Sequence, residues 1–149
     1  MKRTIFLTIL VFSLCKGYSQ NSTIAGIEQA AASIKDMNLP IGKTFKIPAA
    51  PDSSGFMNVF YFTDAKGVLY KIEQELKDKG KYQVNHFYFQ NHELIKIEAS
   101  SSKENFSNQY RSYYYSKGAP YSEEGTVDTE HIALKQMASR LGEIYMFAK

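Results

Sequence analysis

The rhythm of apolar and polar residues changes several times along the chain. Residues 1–19 begin with the basic "MKR", run through the unbroken apolar "TIFLTILVFSLC" and close on the small, polar "KGYS". In residues 22–37, Ile24, Ile27, Ala31, Ile34 and Met37 recur at three- and four-residue steps, which predicts an amphipathic helix. Ser22 or Thr23 suits its start, and Asn38 with Pro40 its end. Residues 39–56 hold three of the four prolines and read as an irregular crossing segment, in which "TFKI" is the stretch suited to extension. Residues 57–124 lose the helical period and alternate aromatic and β-branched runs with turn signals. Residues 127–149 regain it: Leu134, Met137, Leu141, Ile144 or Tyr145, and Ala148 form one stripe, with Asp128 placed to cap the start. Helix, strands in series, helix is the order expected of an α+β fold. It predicts an antiparallel β-meander of about six strands flanked by N- and C-terminal helices.

Inside the strand region one phrase recurs. Residues 60–73 read "FYFTDAKGVLYKIE", residues 87–98 read "FYFQNHELIKIE", and residues 113–124 carry a third, degraded copy, "YYYSKGAPYSEE". Each reads as a β-hairpin: an aromatic strand, a turn and a returning strand. Asp64-Ala65-Lys66-Gly67 suits a type I turn with its glycine left-handed. Asn91-His92 suits a two-residue turn in which His replaces the usual Gly, and Lys117-Gly118 marks the third.

Aligned by their aromatics, the first two copies differ by two residues in the turn, and an even insertion keeps every side chain on its face. That alignment pairs Phe62 with Leu69, Tyr61 with Tyr70 and Phe60 with Lys71. In the second copy it pairs Phe89 with Leu94, Tyr88 with Ile95 and Phe87 with Lys96. One face then carries Met57, Val59, Tyr61, Tyr70, Ile72, Tyr82, Val84, His86, Tyr88, Ile95, Ile97 and Ala99, and both helices are expected against it. The other carries Phe60, Phe62, Leu69, Phe87, Phe89, Leu94, Tyr113 and Tyr115, with Lys71, Glu73, Lys96, Glu98 and Arg111 beside them. Six strands span roughly 29 Å, too wide for two helices of about 10 Å each to cover on both faces. The second face is therefore a candidate binding surface. The competing readings are that the 39–56 segment, a helix or sheet curvature encloses it.

Composition changes the picture at the N-terminus. The basic, apolar, small-polar order of residues 1–19 is that of a secretory signal peptide, cleaved after Ser19 to leave one domain over residues 20–149. The apolar run is shorter than the roughly 20 residues of a membrane span. Cys15, the only cysteine, would leave with it; Leu14 directly before it argues against lipoprotein anchoring. The remaining domain has no disulfide or thiol chemistry. Removing Lys2, Arg3 and Lys16 from 18 basic residues leaves 15, against 15 acidic ones. The basic footprint of a nucleic-acid binder is thus missing.

Candidate chemistry is sparse. Of the three histidines, His86 falls on the first face and His92 on a turn, with no third ligand at metal spacing. "GKT" at 42–44 ends like a phosphate-binding loop, yet Met37 stands where that loop requires its first glycine. No Gly-x-Ser-x-Gly elbow is present. Glu73 and Glu98 share a face, but Lys71 and Lys96 beside them point to ion pairing rather than an acid/base dyad.

The pieces "FYFQNHELIKIE" and "YYYSKGAPY", with a leader ending near Ser-Gln, resemble small exported, uncharacterised proteins of Bacteroidota-type bacteria. The resemblance covers the leader and about 65 residues of meander; His92 and Pro120 depart from its pattern. It implies a location and a fold, and no activity. The sequence thus supports an exported, non-enzymatic binding or interaction module of the cell envelope, without cofactor, acting through the aromatic face on a protein partner or a second copy. The alternatives are a carrier of a small apolar ligand held between sheet and helix, and a hydrolase built on a carboxylate or histidine site.

Overall fold

A computed structural model describes residues 24–48, 54–103, 109–121 and 129–147. The expected leader with Cys15, the caps Ser22, Thr23 and Asp128, and Ala148 lie outside these residues. Helix α1 (Ile24–Asp36) is followed by β1 (Ile41–Pro48), β2 (Phe56–Thr63), β3 (Leu69–Asp78), β4 (Lys81–Gln90), β5 (Glu93–Lys103), β6 (Gln109–Ser116), β7 (Ala119–Tyr121) and α2 (Thr129–Phe147). The strands form one antiparallel sheet in sequence order, a seven-stranded meander. Six of them fall within residues 56–121; the seventh, β1, comes from the proline-rich segment read as irregular and contains its "TFKI", the stretch suited to extension. Its exposed edge position explains why its sequence lacks a buried pattern, and Lys43 and Lys46 on it are residues that guard a sheet edge. Pro120 sits at the opposite edge, where a missing backbone N–H is tolerated.

The turns follow their residues. Lys79-Gly80, Asn91-His92 and Lys117-Gly118 each place two consecutive residues at positive φ, as two-residue hairpin turns require. At the β2–β3 turn, Asp64 accepts backbone hydrogen bonds from Lys66 and Val68 at 2.9 Å each, and Gly67 takes φ 77°.

The helices do not share a face. Ile27, Ala31 and Ile34 of α1 pack on Tyr88 and Ile95 on one side of the sheet. Leu134, Ala138, Leu141 and Tyr145 of α2 pack on Val59, Tyr61, Ile72, Phe87, Phe89, Ile97 and Tyr115 on the other. The division arises from two bulges. Phe62 pairs with Lys71 but Thr63 with Leu69, leaving Tyr70 as the extra residue; Tyr88 pairs with Lys96 but Phe89 with Leu94, leaving Ile95 extra. The extra residue bends the strand and breaks strict alternation, so Tyr70 and Ile95 both turn to the α1 side.

The bulges reveal the true alignment of the repeat. Thr63, not Phe62, is the counterpart of Phe89, and Tyr61 is the counterpart of Phe87. Between those positions the connections hold five and four residues, a difference of one. In the β3–β4 pairing Ile72 lies opposite Phe87 instead of sharing a face with Tyr88, a one-residue shift that turns β4 over relative to the expected register. Phe87 and Phe89 join the α2 core, whereas His86 and Tyr88 face α1.

In register, the repeat writes rows across the sheet. Tyr61, Ile72, Phe87, Ile97 and Tyr113 are successive partners under α2; Phe62, Lys71, Tyr88, Lys96, Tyr114 and Tyr121 are successive partners on the α1 side. Alternating aromatic and Ile gives a dry row, and alternating aromatic and Lys gives one in which stems cover rings and ammonium groups reach acids. Lys71 Nζ lies 3.8 Å from the centre of the Phe62 ring.

Candidate functional site

The eight residues expected to form one binding face are split. Leu69, Phe87, Phe89, Leu94, Tyr113 and Tyr115 lie on the α2 side; Phe87 and Tyr115 are 0% and 1% exposed, and Leu94 and Tyr113 are partly buried against the same core. Phe60 and Phe62 lie on the other side, half-buried. A single aromatic surface is therefore not formed. The face inversion of β4 and the helix on each side are the reasons.

Two arrangements remain that carry chemistry. The first is a charged row on the α1 side, which follows from the pairing Phe60, Glu73, His86, Glu98, Ser112 across five strands. His86 Nε2 lies 3.3 Å from Glu73 and Nδ1 3.7 Å from Glu98. Lys71 pairs with Glu73 at 3.3 Å, and Lys96 with Glu98 at 2.8 Å and with Glu28 of α1 at 2.6 Å. Lys35 of α1 reaches Glu98 at 2.8 Å. Tyr88 donates its hydroxyl to Glu98 at 2.9 Å, and Tyr114 donates to Glu28 at 2.5 Å.

The electrostatics match. The His86 hydrogen bond, together with those from Lys35, Lys96 and Tyr88, holds the Glu98 carboxyl well below the ordinary carboxylate range against its burial. Glu73 is lowered by His86 in the same way. Burial opposes charge on His86, but hydrogen bonds to Glu73 and Glu98 outweigh it and raise its pKa. Burial and Glu98 together push the Tyr88 hydroxyl up. Both ring nitrogens of His86 face carboxylates, and both carboxylates are stabilised as anions. The row holds charge and fastens α1 to the sheet. Glu73 and Glu98 thus sit together as the sequence suggested. His86 was missed as their centre because its strand was read one face over.

The second arrangement is a groove of about 630 Å³ between α2 and the end of the sheet where three hairpin turns gather. Helix α2 is fastened near both ends of this crossing. Lys135 donates to the Gly118 carbonyl at 2.6 Å at the β6–β7 turn, and Tyr145 donates to the Gly67 carbonyl at 2.9 Å at the β2–β3 turn. Between them the helix passes the β4–β5 turn, and there the groove opens. Its apolar walls are Leu69, Phe89 and Leu94 from the sheet and Ala138, Gly142 and Met146 from the helix; His92 and Glu93 from the β4–β5 turn region and Lys135, Ser139 and Glu143 from the helix complete its lining. Three of the expected binding residues, Leu69, Phe89 and Leu94, are therefore brought to a common concave site. The helix half of the site carried one sequence signal, Gly142. A glycine inside a helix costs about 1 kcal/mol relative to alanine, and here a Cβ would meet no atom within 4 Å. Neither packing nor backbone conformation demands it; its effect is to widen the groove.

Among the described residues, no group of three or more His, Cys, Asp or Glu could hold a metal ion, and no helix is long and apolar enough to cross a membrane. No family model, curated protein or solved structure matches the chain.

Proposed function

We propose that the protein is an exported, non-enzymatic binding module that holds a small apolar ligand in the groove between α2 and the hairpin turns. The observation that carries this reading is the groove itself: about 630 Å³, within the roughly 300–1,000 Å³ of small-molecule sites, mostly apolar and with a few polar groups in its lining. It lies where a helix crosses strand ends, and Gly142 preserves its volume at a cost in helix stability. Export rests on the leader-like residues 1–19. The direct test is native mass spectrometry of the protein purified without detergent, beside Gly142→Leu. A co-purifying apolar mass present in the parent and lost in the variant is the expected result. A fold-competent variant that retains the same mass would exclude the groove as its site.

A further inference from the structure

We infer that the ligand of this groove is a single-chain amphiphile with a cationic head, an assignment that rests on the groove being a ligand site. The argument is one of charge complementarity. The walls that meet an apolar chain are Leu69, Phe89, Leu94, Gly142 and Met146. Two carboxylates border the opening from opposite sides, Glu93 at the start of β5 and Glu143 on α2, and both are exposed. One lysine, Lys135, shares the lining; its ammonium donates to the carbonyl of Gly118, itself a lining residue, at 2.6 Å, and the two carboxylates outnumber it. An apolar chain lying along Phe89 and Gly142 would thus bring its head group out between Glu93 and Glu143. An ammonium or guanidinium gains there, whereas a carboxylate, sulfate or phosphate is opposed by both side chains.

The position of the acids adds to this. Glu143 follows Gly142 directly in the sequence, so the helix turn that leaves room for the chain also carries a charge for the head. Glu93 follows the Asn91-His92 turn, whose positive φ values fix where β5 begins. Both carboxylates are therefore mounted on defined backbone.

The test compares three ligands of one chain length, decyltrimethylammonium, decyl glucoside and decyl sulfate, below their micelle-forming concentrations and at mildly alkaline pH. Affinity is read by calorimetry, and the binding position by amide chemical shifts. Two surface charge pairs predict that the cation binds about five-fold more tightly than the glucoside, with the sulfate weakest. That gap should close in the Glu93→Gln, Glu143→Gln double variant and shrink at high salt. Equal affinity for cation and glucoside, or a preference for sulfate, would overturn the cationic assignment while leaving an apolar site in the groove. A gap that survives the double variant would remove these two carboxylates as its cause. Failure of all three ligands to shift the groove amides would overturn both the assignment and the ligand site beneath it.

Discussion

Lys96 of β5, 3% exposed, donates to Glu28 of α1 at 2.6 Å, joining residues 68 positions apart across the helix–sheet interface. The same ammonium reaches Glu98 at 2.8 Å, so one buried lysine connects the helix to the charged row of the sheet. Burial penalises its charge, but the two carboxylates outweigh that penalty and raise its pKa. Removing it leaves two acids without their common partner. Lys96→Ala is expected to lower stability by about 1.5–3 kcal/mol, the range for hydrogen bonds to charged groups, measured by chemical denaturation. Glu28→Gln, at a half-exposed position, should cost less than about 1 kcal/mol.

The charged row also sets a pH profile. His86 has a raised pKa, so its contribution is complete below the ordinary histidine value of 6.5 and fades as pH rises through the raised one. Glu73 and Glu98 have lowered values, so theirs is complete above the ordinary 4.5 and fades as pH falls through the lowered ones. Stability from this row should therefore be greatest between these two ordinary values and decline on both sides. His86→Gln should flatten the alkaline decline and also shrink the acid limb, as seen in denaturation midpoints across pH. His86 is the leading cause of the lowered Glu73 and Glu98 values, while Lys35, Lys96 and Tyr88 still hold part of the Glu98 contribution.

The two aromatic rings once grouped together should separate on mutation. Phe87 is 0% exposed beneath α2, and Phe87→Ala is expected to cost about 3–5 kcal/mol. Phe62, half-buried on the opposite side under Lys71, should cost clearly less. Equal losses would contradict the inverted register of β4.

At the β4–β5 turn, His92 takes φ 67°, a conformation that costs a non-glycine residue roughly 1 kcal/mol. His92→Gly should remove that cost and raise the thermal midpoint, despite the larger entropy of the unfolded glycine.

Much of this fold was legible in the residues. The helical periods around Ile27–Ile34 and Leu134–Leu141, and the turn signals at Gly67, Asn91 and Gly118, place the elements within a few positions. Faces were harder. Register propagates from each turn, and two single-residue bulges at Tyr70 and Ile95 decide which side a strand presents. Nothing in "FYF" distinguishes a strand that buries its outer rings from one that buries its middle ring. That is why Phe60 and Phe62 parted from Phe87 and Phe89, and why His86 was not placed between Glu73 and Glu98. β1 was obscured because an exposed edge strand carries no buried stripe to read. The groove was illegible for a different reason: its walls come from β3, β4, β5 and α2, and only tertiary packing brings Leu94 and Gly142 to one groove.

The most direct measurement of the central claim is a chemical-shift titration of the isotope-labelled protein with uncharged decyl glucoside. A saturable change confined to Leu69, Phe89, Leu94, Ala138, Gly142 and Met146, and absent in a folded Gly142→Leu variant, is the predicted result. Saturable changes centred elsewhere, such as on Phe60 and Phe62, or none at all, would contradict it.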